Sequence, residues 1–341
     1  MSRRTPSSER QLRRLIWRKT IYAITGITGK VGGELAHNLL AAGQRVRAIV
    51  RNASKGEEWA TRGCEVALAK MEDGLALADA FTGATATFIL PPPEFDPEPG
   101  YPEARAVIDG VVEALTKAKP ARVLCLSTIG ADAVHDNLHS QRTMMEAALR
   151  KLTLPLTILR PAWFIDNASY DVASACETGV IHTFLQPPGK AFPMVAAKDV
   201  GRVAADLTQE DETGIRVVEL EGPCRVSPND LADAFATVIG KPVHARPVRR
   251  DLWSARFRLQ GMKNPRPRMR MLDGFNEGWI EFQDRGCKAI KGQTSAVAVI
   301  AARVAKMHPL CTAHAMQSDI PVHAKRASKS AAVPASADKS A

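Results

Sequence analysis

Ile21-Tyr22-Ala23-Ile24-Thr25-Gly26-Ile27-Thr28-Gly29-Lys30-Val31-Gly32-Gly33 decides the fold of this 341-residue chain. A short apolar run leads into glycines at every third position, and then Val31, Leu35, Leu39 and Leu40 recur at helical spacing. Gly43 stands where a helix ends, and Arg45-Val46-Arg47-Ala48-Ile49-Val50 reads as a second strand. This is a strand, a tight turn, a helix and a strand: one βαβ unit. A pyrophosphate can approach backbone N–H groups at a helix N-terminus only where no side chain blocks it and the turn is tight. Gly26 and Gly29 meet those needs, and Gly32 is expected to let the helix pack close to the preceding strand. The loop Gly26, Ile27, Thr28, Gly29, Lys30, Val31 and Gly32 is therefore the predicted dinucleotide cradle.

The end of the second strand selects between cofactors. An acid there would accept hydrogen bonds from both adenosine ribose hydroxyls, whereas an arginine pairs with a 2′-phosphate. This chain has Arg51, followed by Asn52, Ser54 and Lys55, with no Asp or Glu on the strand before it. The local field is positive, which favours NADP(H), with NAD(H) as the alternative.

Composition narrows the class. The chain is 45% hydrophobic, enough for a full core. No window of about 18 apolar residues appears, so no membrane span is predicted. Six scattered cysteines without a C-x-x-C pair argue against a metal centre and for a reducing, cytoplasmic setting. The net charge of +10 is concentrated: residues 1–19 hold seven basic side chains and one acid, 246–270 nine and one, and 306–341 five and two. The rest of the chain is net acidic. With no aromatic-interleaved basic surface in the pattern, this argues against nucleic acid as a partner. Residues 1–19 lack the apolar stretch of a secretory signal, and they and the Ala/Ser/Lys tail 306–341 are expected to be disordered.

Further strands are predicted at 65–69, 86–90, 122–127, 156–159 and 217–220, with helices at 75–81, 104–118 and 141–152. The expected fold class is α/β, a Rossmann-type doubly wound parallel sheet. The carboxyl ends of its strands would gather Gly26, Arg51, Asn52, Leu90, Pro91, Pro92, Ser127 and Pro161 into one site. Ser227-Pro228-Asn229-Asp230 marks a capped helix start that Gly240 and Pro242 close. The expected organisation is a nucleotide-binding domain over 20–179, then a smaller, mostly helical lid over 180–305 with late strands returning to the sheet.

Several of these pieces together resemble the NmrA-like family of atypical short-chain dehydrogenases/reductases. They are the T-G-I-T-G-K-V-G-G loop, Val50-Arg51-Asn52, Leu126-Ser127-Thr128-Ile129-Gly130 and Thr157-Ile158-Leu159-Arg160-Pro161-Ala162-Trp163-Phe164 with Asn167. Lys198-Asp199-Val200 and Gly274-Phe275-Asn276-Glu277-Gly278-Trp279 are similar to that family's later elements. The resemblance implies an NADP(H)-binding protein. Some members reduce quinones, azo dyes or triphenylmethane dyes, and others sense the nucleotide without turnover. Where the family often carries a Lys or His ahead of an E-x-x-L helix, this chain has His139, Gln141 and Arg142 ahead of Glu146 and Leu149.

His139 is then a candidate proton donor, or a solvated residue at a helix start. Arg142 cannot act as an acid near neutrality, but could hold the nicotinamide ribose or carboxamide. Trp163 and Phe164 are candidates to stack on a planar ring, or to sit in the core. Ser127 is a site residue or a turn cap. The Tyr-x-x-x-Lys couple of ordinary short-chain dehydrogenases is missing: four residues after Tyr22, Tyr101 and Tyr170 stand Gly26, Arg105 and Ser174. The expected function is NADPH-dependent hydride transfer to a small quinone-like or azo aromatic acceptor. The alternative is an NADP(H)-binding sensor that contacts a protein partner through the arginine-rich 246–270 segment.

Overall fold

The apolar run Ile21–Ile24 is β1, buried at every position, and it leads into α1 (Lys30–Ala41). The computed structural model describes residues 20–308 apart from Cys287, with the side chains of Asp284 and Arg285 also left aside. The segments 1–19 and 309–341, where disorder was expected, lie outside the described residues.

β2 (Arg45–Val50), α2 (Ala53–Ala60), β3 (Glu65–Leu68), α3 (Gly74–Phe81), β4 (Ala86–Ile89), α4 (Pro102–Ala118), β5 (Arg122–Leu126), α5 (Ser140–Leu149) and β6 (Leu156–Pro161) continue the alternation. Then follow β7 (Trp163–Phe164), a 3₁₀ segment Ile165–Asp171, α6 (Val172–Thr178), β8 (Val180–Thr183), β9 (Met194–Val195), α7 (Ala197–Gln209) and β10 (Ile215–Glu221). The chain closes with α8 (Pro228–Ile239), β11 (His244–Pro247), α9 (Trp253–Leu259), α10 (Arg266–Glu277), β12 (Ile290–Lys291) and α11 (Ala296–Met307).

Eight parallel strands form one sheet in the order β12-β10-β6-β5-β4-β1-β2-β3. The order reverses between β1 and β4, where a crevice opens at the strands' carboxyl ends. Successive side chains of a strand point to opposite faces. Ile24, Phe88, Leu124 and Leu126 thus join α1 and α7 in one core, while Ala23, Ile89, Val123, Cys125 and Ile158 join α3, α4 and α5 in another. Both faces are covered, so the central strands β1, β4 and β5 are buried along nearly their whole length.

The region 180–305 contributes to the sheet as well as to the helical part. Its α7 packs against α1 on the sheet face, and β10 and β12 extend the sheet beyond β6. What stands apart is a cluster of α6, α8 and α11 around Phe235, Ile300 and Val304. Within it, Ser227 and Asp230 form the expected capping box and Gly240 ends α8 in the left-handed region. α11 runs to Met307, just past the expected start of the tail.

A buried ion pair ties β5, α5 and β6 together. Arg160 donates from Nε to Glu146 Oε1 at 2.9 Å and from Nη2 to Oε2 at 2.7 Å, and from Nη1 to Asp132 Oδ2 at 2.7 Å. Burial alone would pull the guanidinium pKa down, but Glu146 and then Asp132 override it and raise it. Removing Glu146 would leave Arg160, only 5% exposed, without its main counter-charge. Glu146→Ala is expected to cost about 3 kcal/mol or more in urea unfolding. A loss under about 0.5 kcal/mol, the scale of a surface change, would mean that the pair does not hold these elements.

Candidate functional site

The β1–α1 turn is built from close approaches that side chains would block. Gly26 sits at φ +64°, and a Cβ there would stand 2.8 Å from Leu90 Cδ2. A Cβ on Gly32 would lie 2.3 Å from the Gly26 carbonyl oxygen and 2.9 Å from Ile27 Cα. Gly32 therefore packs against the turn itself rather than the preceding strand, because the helix folds back onto its own entry loop. Thr25 pins this turn to β4: its Oγ1 donates to the Phe88 carbonyl at 3.0 Å and accepts the Leu90 N–H at 2.8 Å.

The N-terminus of α1 is open. Its cap, Gly29, offers no side-chain bond, and no acid stands in the first turn. The first N–H groups and the positive end of the helix dipole therefore face outward at the crevice. Thr28, Gly29 and Lys30 are exposed around it, whereas Ile27 is wholly buried in the core. Lys30 Nζ is 3.7 Å from Asp166 Oδ1. Burial lowers the Lys30 pKa, and Asp166 opposes that. Asp166 also accepts the Ala197 N–H at 2.8 Å and pairs with Arg303, so it links α1, α7 and α11.

Arg51 follows β2, exposed, and among the described residues no hydrogen bond or ion pair engages its guanidinium. Asn52 is partly spent: its Oδ1 accepts the Ser54 N–H at 2.9 Å and caps α2.

On the other side of the crevice lies the loop after β4. Pro91 is buried, and Arg142 Nη2 donates to the Pro91 carbonyl at 3.1 Å and to that of Pro92 at 3.4 Å. Gln141 Nε2 donates to the Glu94 carbonyl at 3.0 Å. Through Nη2, Arg142 straps the proline loop to α5. Burial lowers its pKa. Ser127 caps no turn; its hydroxyl donates to Glu146 Oε1 at 2.5 Å, at the head of the Arg160 network. Pro161 is buried and accepts the Ile129 N–H at 2.9 Å.

Beyond Pro161 in the chain, Trp163 joins a cluster of rings with Phe275 and His139. Trp163 and Phe164 are half-buried on β7. Trp163 meets Phe275 edge to face at 5.3 Å between centroids, and His139 meets Phe275 likewise at 6.1 Å. Phe275, from α10, lies 112 positions beyond Trp163 in the chain, and no spacing rule linked them.

His139 is not a solvated helix start. Its Nδ1 is buried with no partner among the described residues. Burial first, and the Arg142 charge second, push its pKa down to about 4, against a smaller opposing effect of the Ile129 backbone. The imidazole is therefore neutral at pH 7 rather than poised near it. No cluster able to hold a metal ion occurs among the described residues, and none of their helices is long and apolar enough to cross a membrane.

Comparison with known proteins agrees with this geometry. Residues 26–211, more than half of the chain, match the family described as NAD(P)H-binding. The NAD(P)H azoreductase of Xenophilus azovorans is 26% identical over 260 residues, covering 74% of this chain and 84% of its own. Quinone oxidoreductase 2 of Escherichia coli is 27% identical over 224 residues, covering 65% and 75%. Among solved structures, an Escherichia coli NADPH-dependent quinone oxidoreductase complexed with NADPH superposes with a TM-score of 0.68 at 22% identity, over 83% of this chain and 99% of that one. The Citrobacter sp. triphenylmethane reductase complexed with NADP(H) gives 0.67 at 23%, over 83% and 99%. These likenesses show the fold.

The His139 site makes stability depend on pH. The folded pKa, about 4, lies below the ordinary 6.5, so between these values the unfolded chain binds the extra proton. The stabilising contribution of neutral His139 is therefore complete above about pH 6.5 and is lost as pH falls toward 4. Urea midpoints at pH 7 and 5 are expected to fall less in His139→Gln than in the wild type. Equal falls in both would contradict burial of the neutral ring.

Proposed function

The chain belongs to the NAD(P)H-binding family, with which its NmrA-like motifs agree, and on that premise we propose that it is an NADPH-dependent reductase of quinone-like or azo aromatic acceptors. The observation that carries the reading is the open, uncapped α1 N-terminus behind Gly26, Gly29 and Gly32, with the unengaged Arg51 guanidinium at the adjoining strand end. This set fits a dinucleotide. Backbone N–H groups of Lys30, Val31 and Gly32 would hold the pyrophosphate, and Thr28 and Lys30 flank it. Arg51 would pair with a 2′-phosphate, and the free Asn52 amide lies next to it. Leu90, Pro91 and Pro92 would form one wall of the ring site, with Arg142 fixing their position. Ser127 and Pro161 would form its floor, and Trp163 and Phe164 its far side.

The bound nicotinamide supplies a hydride, two electrons and one hydrogen nucleus. The residues around it offer little acid. Tyr22 is buried in β1. The Tyr101 hydroxyl donates to Asp136 at 2.9 Å, and burial, reinforced by that carboxylate, pushes its pKa up to about 12. Tyr170 stands 84% exposed, and His139 is held neutral. An acceptor that needs a strong proton donor at its oxygen is poorly served here. A quinone or azo group accepts hydride with the balancing proton taken from water, and the edge-to-face pair Trp163 and Phe275 offers apolar surface for a flat ring. The relatives named azoreductase and quinone oxidoreductase support the same acceptor class.

Two measurements test this reading. Wild-type protein is expected to oxidise NADPH in the presence of quinones or azo dyes. Absence of turnover across a panel, with NADPH still bound, would overturn the reductase and leave a nucleotide sensor. Arg51→Glu is expected to weaken NADPH relative to NADH by roughly 10- to 100-fold, the worth of one charge-assisted contact. An unchanged ratio of dissociation constants would remove Arg51 from the 2′-phosphate site.

A further inference from the structure

The nucleotide site leaves the basic segment 246–270 unused. Three of its arginines are engaged: Arg249 pairs with Asp251, and Arg250 and Arg270 with Asp273. Arg268 differs. It has no carboxylate partner among the described residues; its guanidinium lies 4.7 Å over the Phe257 ring, and its Nη1 is 3.8 Å from Met262 Sδ. The residue is half-buried, and burial pulls its pKa down, with only the Tyr170 phenol opposing. A guanidinium taken partly out of water without an anion is unfavourable, and one that meets an oxyanion forms strong, directional bonds.

Its place in the fold is informative. On α10, residues 268, 271, 272 and 275 share one stripe, at i, i+3, i+4 and i+7. Met271 and Leu272 are buried, and Phe275 meets Trp163 and His139. Arg268 stands two turns back on that stripe, about 10 Å along the axis. The segment from Trp163 to Asp171 meets α10 at Phe275. Trp163 lies against Phe275, and Tyr170 lies within electrostatic reach of Arg268 with its ring open to solvent. The stripe on α10 thus runs from the aromatic contact of Phe275 with Trp163 to the cationic Arg268.

We infer that Arg268 is a specificity-determining residue that binds an oxyanion substituent, a sulfonate or carboxylate, on the aromatic acceptor. The inference rests on the reductase reading for the identity of the ligand and deepens it: the preferred acceptors are acidic aromatic compounds with the anionic group about 10 Å from the ring pocket or nearer.

The test compares 1,2-naphthoquinone, its 4-sulfonate and a naphthoquinone carboxylate as acceptors for wild type, Arg268→Gln and Arg268→Lys. In Arg268→Gln, KM for the charged acceptors is expected to rise about tenfold or more, as for loss of a charge-assisted contact, and KM for the neutral quinone to change less than about twofold. Arg268→Lys is expected to recover part of the loss. Equal shifts for charged and neutral acceptors, or none, would overturn the proposal. A shift with only one of the two anions identifies which group the site takes and supports it. Binding gives an independent arm: quenching of tryptophan fluorescence by naphthalene-2-sulfonate in NADP-loaded protein is expected in wild type and weakened in Arg268→Gln. If neither quinones nor azo dyes turn over, the reductase reading fails, and this titration still decides the role of Arg268. Equal quenching in both proteins would then overturn it.

Discussion

The close contact of Gly32 with the Gly26 carbonyl is the constraint on which the rest of the molecule depends. It brings the first turn of α1 down onto its own entry loop, so that the helix begins at the carboxyl edge of β1 with bare N–H groups facing the crevice. Thr25 then locks that loop to β4 by two hydrogen bonds on one hydroxyl. Because β4 is the strand across the reversal in sheet order, this one side chain fixes both banks of the crevice.

The loop after β4 is held further by side chains of α5. Arg142 and Gln141 tie α5 to carbonyls of the proline-rich loop, and Arg160 ties the same helix to β6 through Glu146. Proline lacks N–H groups, so the loop's carbonyls can find donors only from outside it. Arg142 therefore supports the scaffold of that loop through one of its nitrogens. His139 belongs to this arrangement too. Phe275 closes over it from α10, and the Arg142 charge discourages a second cation.

How much of this could be read from the chain follows from how local each signal is. The β1, α1 and β2 elements are legible because three glycines, an apolar run and a helical repeat sit within thirty consecutive residues. The parallel sheet is legible for the same reason, repeated. α2 is missed because only Trp59 and Gly56 along it are buried, which leaves no periodic signal. The strand β12 is only two residues long and pairs with β10 70 residues earlier in the chain, too short a run to give a signal of its own. At the site, the glycines and Arg51 stand where spacing placed them, since their positions depend on one βαβ unit. The surroundings of His139, Arg142 and Trp163 depend on partners 136, 51 and 112 residues away, and no local pattern carries that information.

The central claim is that a pyridine nucleotide lodges at the Gly26–Gly32 turn. Titration calorimetry of NADPH into wild type and Gly32→Ala tests it most directly, with circular dichroism to verify that the variant is folded. The Cβ of the variant must displace backbone at the cradle, so saturable heat with wild type and at least about a tenfold weaker affinity in the variant are expected. Equal affinities, or no heat with the wild type, would contradict the account.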